Sequence, residues 1–222
     1  MKTVWSLLLS FMSAPVLACD LALALAVDVS GSVDRQEYQL QMDGLATALN
    51  DPLISEALVR ANAQLMLVQW TGTTRQDVTI PWTPITGFDA VEAFANQVRK
   101  SPRIWRNYST AIGDALEYTL AQFAPVAHCG RLLIDLSGDG ESNEGAPPLA
   151  VRGQLRAHGI TVNAIAIEAS VPDLMAYFFE NVIVGEGTFV VSAATFEEYP
   201  EKIRKKLLRE VTQQTAWCDH CD

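Results

Sequence analysis

The chain has 222 residues, 49% of them hydrophobic and 19% charged, a balance that excludes disorder and supports a well-filled core. Sixteen Lys and Arg against 26 Asp and Glu leave a formal charge of -10, which excludes broad binding to a phosphate backbone, so nucleic acid is not an expected partner. No linker or internal repeat divides the sequence, and one domain is expected.

Met1 and Lys2 open a short positive region, Val4 to Met12 is mostly apolar, and Ser13-Ala14-Pro15-Val16-Leu17-Ala18 ends in small residues suited to signal peptidase. Residues 1–18 therefore read as a signal peptide cut after Ala18, and residues 19–222 as the mature domain, periplasmic or secreted. The apolar stretch is too short to span a bilayer, and no later run reaches the roughly 18 to 20 residues of a membrane helix. Val16-Leu17-Ala18-Cys19 also loosely matches a lipoprotein box, with Leu17 poor at its position, so a lipid anchor on Cys19 is the lesser alternative.

Leu21 to Val29 is an apolar run without a polar face, as in a strand covered on both sides. Asp34 to Leu49 carries Tyr38, Met42, Leu45 and Leu49 at helical spacing, with Asp34 and Glu37 placed to cap each other's backbone. Leu65 to Trp70 and Asp77 to Trp82 read as an antiparallel hairpin at one sheet edge, joined through Thr71-Gly72-Thr73-Thr74. Helices follow over Phe88 to Lys100 and Ala111 to Phe123, a buried strand over Arg131 to Leu136, and a helix over Pro147 to His158 closed by Gly159. Thr161 to Ile167 is a strand, and Leu174 to Asn181, Thr188 to Val191 and Thr195 to Thr212 finish as helix, strand, helix. This alternation predicts a doubly wound α/β fold: a mostly parallel sheet with one antiparallel edge strand and helices on both faces. Its sites are expected beyond the C-terminal strand ends.

Four cysteines, Cys19, Cys129, Cys218 and Cys221, allow three pairings in an exported chain. Cys19 lies nine residues before Asp28 on one strand and Cys129 ten before Asp139 on another, so in neighbouring parallel strands both fall at the starting ends. Strands about 4.8 Å apart suit a disulfide, and Cys19 to Cys129 is the expected pair. Cys218 and Cys221 match the Trp-Cys-x-x-Cys of thioredoxin-like enzymes only superficially, because no helix follows them. A local disulfide is expected there, with a thiol-disulfide role as an alternative.

The first strand ends in Asp28-Val29-Ser30-Gly31-Ser32 and the strand from Arg131 ends in Ser137-Gly138-Asp139-Gly140, while Thr110 stands where a loop enters a helix. Asp28, Ser30, Ser32, Thr110 and Asp139 thus offer five oxygen-bearing side chains from three loops, with no His or Cys among them. Hard oxygen donors favour magnesium, with manganese or calcium as substitutes. Taken singly, the same residues also suit helix caps and loop turns.

Asp28-x-Ser30-x-Ser32, Thr110 in Ser-Thr-Ala-Ile-Gly and Asp139 in Gly-Asp-Gly together resemble the metal-ion-dependent adhesion site of von Willebrand factor type A domains. Leu-Ala-Val-Asp-Val-Ser-Gly-Ser-Val and Ile-Asp-Leu-Ser-Gly-Asp-Gly are similar to an exported bacterial branch of that superfamily of unknown function. The resemblance covers essentially the whole mature chain. It implies a Rossmann-like domain in which Ser30, Ser32 and Thr110 bind the metal directly, Asp28 and Asp139 bind it directly or through water, and an open position accepts a carboxylate from a partner protein. The expected molecule is an exported, monomeric or weakly associating protein-binding module.

The loop from Arg99 to Tyr108 leads to Thr110, and its Arg103, Arg106, Trp105 and Tyr108 are candidates for the partner surface, as cations and aromatic anchors. Lys202, Arg204, Lys205, Lys206 and Arg209 read as the solvated face of the last helix, and Asp135 and Asn163 as structural polar groups inside strands. No nucleophile elbow or phosphate loop occurs, and His128, His158 and His220 fall outside the strand-end cluster, so an enzyme is not expected. The enzymatic alternative is a magnesium-dependent phosphohydrolase, although Asp28-Val29-Ser30 lacks a second acid.

Overall fold

The strand β1 (Leu21–Asp28) alternates large and small residues: Leu21, Leu23, Leu25 and Val27 face one apolar cluster, Ala22, Ala24 and Ala26 the other. Both sets are buried, so β1 must sit mid-sheet with helices on each side. In the computed structural model, which describes residues 19–212, it does. The elements that follow are α1 (Arg35–Leu49), α2 (Pro52–Arg60), β2 (Gln64–Trp70), β3 (Gln76–Pro84), α3 (Phe88–Lys100), α4 (Ile112–Ala121) and β4 (Arg131–Gly138). The chain continues with α5 (Pro148–Ala157), β5 (Ile160–Ile167), α6 (Leu174–Asn181), β6 (Val190–Ala193) and α7 (Tyr199–Thr212). The strand order is β3-β2-β1-β4-β5-β6, parallel throughout except for the antiparallel edge strand β3. Among the described residues no helix is long and apolar enough to cross a membrane.

The order reverses between β1 and β4, where the chain builds outward in both directions. Such a switch point opens a crevice at the carboxyl ends of the two strands. Leu21 pairs with Arg131 and Val27 with Ser137, so Cys19 and Cys129 meet at one end of the pair while Asp28 and Asp139 leave it at the other. The expected disulfide is present, with Cα atoms 4.6 Å apart. A cluster of Cys19, His128 and Cys129 also forms there, but its sulfurs are already paired to each other. Residues 1–18, read from the sequence as a signal peptide, and Cys218 with Cys221 lie outside the described residues.

Asp34 and Glu37 form the reciprocal cap of α1. The sequence pattern overlooked α2, a short helix opened by the Asp51 cap and Pro52, because only Ile54, Ser55 and Leu58 of it are buried. Helix α7 requires a correction: Lys206 is not on the solvated face but is fully buried, with Glu210 one turn on. Its Nζ donates to Asp135 Oδ1 at 2.7 Å and to Glu210 Oε1 at 2.6 Å, and Asn163 Nδ2 donates to the same Glu210 oxygen at 3.0 Å. Burial, then repulsion from Asp135, push the Glu210 carboxyl up to about 8. Asp135 Oδ2 and Glu210 Oε2 have no hydrogen-bond partner, so Lys206 is the cation set between two buried acids.

Two stability tests follow from these contacts. Replacing Cys19 and Cys129 by Ser opens a 110-residue loop and should lower unfolding free energy by up to about 4.7 kcal/mol in denaturant melts. Lys206→Met strands two buried acids and should lose about 3 to 5 kcal/mol, whereas Asp135→Leu/Lys206→Met/Glu210→Leu should recover most of that loss.

Candidate metal centre

Asp28 is the last residue of β1, wholly buried, and its Oδ1 accepts a hydrogen bond from the Ser30 backbone at 2.7 Å. Its Oδ2 is equally buried and has no hydrogen-bond partner. Ser30 Oγ lies 3.1 Å from Ser32 Oγ, and Ser32 Oγ donates to Asp139 Oδ1 at 2.7 Å, across 107 residues of sequence. Thr110 is buried just before α4, and a Cβ placed on Gly140 would lie 3.8 Å from its Oγ1. The structure thus gathers Asp28, Ser30, Ser32, Thr110 and Asp139 at one end of the sheet, with Ser32 open to solvent.

The electrostatics are unbalanced. Burial, then repulsion from Asp139, push the Asp28 carboxyl up to about 8 despite the bond from Ser30. Burial also raises Asp139, against the opposing pull of Ser32 and Arg103. The geometry fits a cation: an orphaned carboxylate oxygen beside a second acid and three hydroxyls. Gly138 keeps that space open, since a Cβ there would stand 3.3 Å from Asp28 Oδ2 and 3.3 Å from Phe178.

The loops are held by polar residues that sequence reasoning missed. Buried Gln41 on α1 donates to the Asp28 carbonyl at 3.2 Å and accepts from Ser137 at 2.9 Å, tying β1 to β4. Buried Gln69 Nε2 lies 3.0, 3.1 and 2.9 Å from Tyr38 Oη, Ser101 Oγ and the Pro102 carbonyl, and its Oε1 accepts from Ile104 N at 3.1 Å. Asn143 Oδ1 accepts from Thr110 N at 3.0 Å, and Ser142 Oγ from Ile112 N at 3.1 Å. Gln41 and Gln69 carried a signal, each being polar within an apolar pattern. Asn143 and Ser142 lie in a loop with no pattern to break.

The partner-surface candidates divide by role. Arg103 donates to the Val29 and Ser30 carbonyls at 3.0 and 2.7 Å, so its guanidinium fastens the loop after β1. Burial, then neighbouring Arg106, lower its pKa. Trp105 packs partly buried against the core, while Arg106 is exposed. Tyr108 is exposed, with Arg75 over its ring at 4.0 Å, and its carbonyl accepts from Gly31 N at 2.8 Å. Gly31 admits that approach, because a Cβ would come within 3.2 Å of the same carbonyl.

Residues 18–215 match the family model described as "Protein of unknown function (DUF1194)". No curated protein matches the chain. Among solved structures, proximal thread matrix protein 1 from the mussel byssus, with a zinc-occupied MIDAS motif, is similar at TM-score 0.64 and 20% identity over 86% of this chain and 48% of that one. A von Willebrand factor type A protein from Catenulispora acidiphila is similar at TM-score 0.63 and 17% identity, over 90% and 44% of the two chains. The pilus adhesin SpaC from Lactobacillus rhamnosus GG is similar at TM-score 0.61 and 13% identity, over 88% and 31%. The chain thus spans less than half the length of these solved chains, and the likeness establishes a von Willebrand factor type A fold.

Without divalent metal, a carboxyl ordinarily near 3.8 but near 8 when folded is protonated in the native state and ionised in the unfolded state between those values. The unfolded chain then binds fewer protons, so this contribution is complete below the lower value and is lost as pH rises towards the upper one. Glu210 adds a second loss of the same sign. Urea melts in EDTA from about pH 5 to 8.5 should therefore show falling stability, and Asp28→Asn should flatten but not abolish the slope. An unchanged slope in Asp28→Asn would remove Asp28 as a source.

Proposed function

The chain belongs to the DUF1194 family of unknown function, and from that premise we propose that it is an exported, divalent-metal-dependent protein-binding module. The observation that carries this reading is the orphaned, buried Asp28 Oδ2 beside Asp139 in a cluster of oxygen donors only. Among the fold neighbours, one has a zinc-occupied MIDAS motif and one is a pilus adhesin, which supports a metal-dependent adhesive role. The absence of nitrogen and sulfur donors favours magnesium, with manganese or calcium as substitutes. Export is supported by residues 1–18 and by the Cys19–Cys129 disulfide, which belongs to an oxidising compartment.

A divalent cation held by Asp28, Ser30, Ser32, Thr110 and Asp139 supplies a positive coordination point for a partner's carboxylate. The chain's own part is positioning. Gln41 and Arg103 fix the loop after β1, Asn143 fixes Thr110, and exposed Ser32 marks the side from which a partner approaches. Our reading is binding rather than turnover, and it is supported by the described histidines lying away from the cluster: His128 stands beside Cys129 at the far strand ends, and exposed His158 closes α5.

Thermal melts of the wild type should shift upward between EDTA and millimolar magnesium or manganese. Metal at about 100 times its Kd adds about 2.7 kcal/mol, or about 5 to 10 °C for a domain of this size. Asp28→Ala and Ser30→Ala should lose the shift, and Asp28→Ala without metal should be no less stable than wild type, since it removes an uncompensated acid. No shift together with no bound metal by elemental analysis would sink the reading.

A further inference from the structure

A groove of about 770 Å³ begins at Gly31, inside the metal loop, and runs between α1 and the segment from Arg99 to Asn107. Its charge is opposite to that of the molecule. Five of the sixteen Lys and Arg residues line it, against two of the 26 Asp and Glu. Asp43 already pairs with Arg99 at 3.4 Å, and Arg103 is committed to the Val29 and Ser30 carbonyls. Arg35, Lys100 and Arg106 remain as exposed cations along the walls, and Arg106 adds its charge beside that of Arg103. Between them lie Tyr38, Met42 and Pro102, an apolar floor suited to the stems of an extended peptide.

The groove is preformed. Gln69 pins Ser101, Pro102 and Ile104 from below, Tyr38 Oη donates to the Ser101 carbonyl at 2.9 Å, and Arg103 joins the wall to the metal loop. A rigid basic channel that opens beside a carboxylate-coordinating point needs no reorganisation to receive a second acid from the same ligand.

We propose that this groove is a second recognition site, and that the partner presents an acidic segment: one carboxylate on the metal and the next acids along Arg35, Lys100 and Arg106. The proposal deepens the metal-dependent reading and rests on it for the first carboxylate. A partner with a single isolated acid would use only part of the surface.

The test uses fluorescence anisotropy with the purified protein and two labelled peptides, deca-glutamate and a Gly/Ser decapeptide with one central Glu. In magnesium and low salt, deca-glutamate should bind at least about tenfold tighter than the single-Glu peptide, and added salt should erase the difference. Lys100→Glu/Arg106→Glu should lose that advantage while keeping the wild-type thermal midpoint and magnesium shift. Equal binding of the two peptides, no binding of deca-glutamate, or undiminished binding by the double variant would overturn the proposal while the thermal shift still upholds the metal site. Deca-glutamate binding that is indifferent to EDTA yet lost in the double variant would instead support the groove and count against its metal-anchored partner. A poly-thymidylate strand of equal length binding as tightly as deca-glutamate would make the groove a general polyanion site and refute peptide recognition.

Discussion

Two carboxylates are forced together where the sheet changes direction. Strands β1 and β4 are parallel neighbours with Val27 opposite Ser137, so the chain leaves the sheet at Asp28 and Asp139 side by side. Trp70 and Phe178 close the space around Gly138, which removes water from the inner face of Asp28. Like charges in such a place must take up a proton or a cation. The loops, the three hydroxyls and the surrounding amides are arranged about that unresolved demand.

The same problem is solved differently on the other side of β4. Asp135 and Glu210 also meet in the core, but there α7 inserts Lys206 and Asn163 adds a donor, so the charge is closed from within. At the strand ends Arg103 acts on Asp139 through its charge, but its guanidinium is turned to backbone carbonyls. Gln41, Gln69 and Asn143 fasten the same loops as neutral amides. Geometry is therefore fixed without neutralising the acids. One buried carboxylate pair carries its own counter-charge within the fold; the other has none, which is the basis of the proposed cation site.

This contrast was only half legible in the sequence. The apolar run of β1, the hairpin edge and the reciprocal cap of α1 follow from periodicity and local chemistry, Asp28, Ser30, Ser32 and Asp139 from strand-end position, and Thr110 from its place where a loop enters a helix. Cys19 and Cys129 were legible because parallel strands that bring two acids together at one end bring two cysteines together at the other. Lys206 was misread because a basic run suggests a solvated face, yet Ile203, Lys206, Leu207, Glu210 and Val211 lie on one helical stripe. Asp135 and Asn163, the polar residues within strands, were its missing complement. Pairing across dozens of residues is a tertiary fact that no single-window pattern contains, and the same holds for Gln41 and Gln69.

Charge sets the remaining constraint on partner choice. A chain with a formal charge of -10 repels acidic proteins at a distance, and screening shortens that repulsion to about a Debye length without reversing it. Attraction must then be local, and it is concentrated where the metal loop and the Arg35, Lys100 and Arg106 wall share Gly31 as their border. On the proposed reading, an acidic ligand that reaches both features gains more than one that reaches either alone, while the net negative charge of the chain disfavours it elsewhere. The acidic background thus helps to make recognition specific, because the cations of the groove stand at the end of the sheet where Asp28 and Asp139 meet.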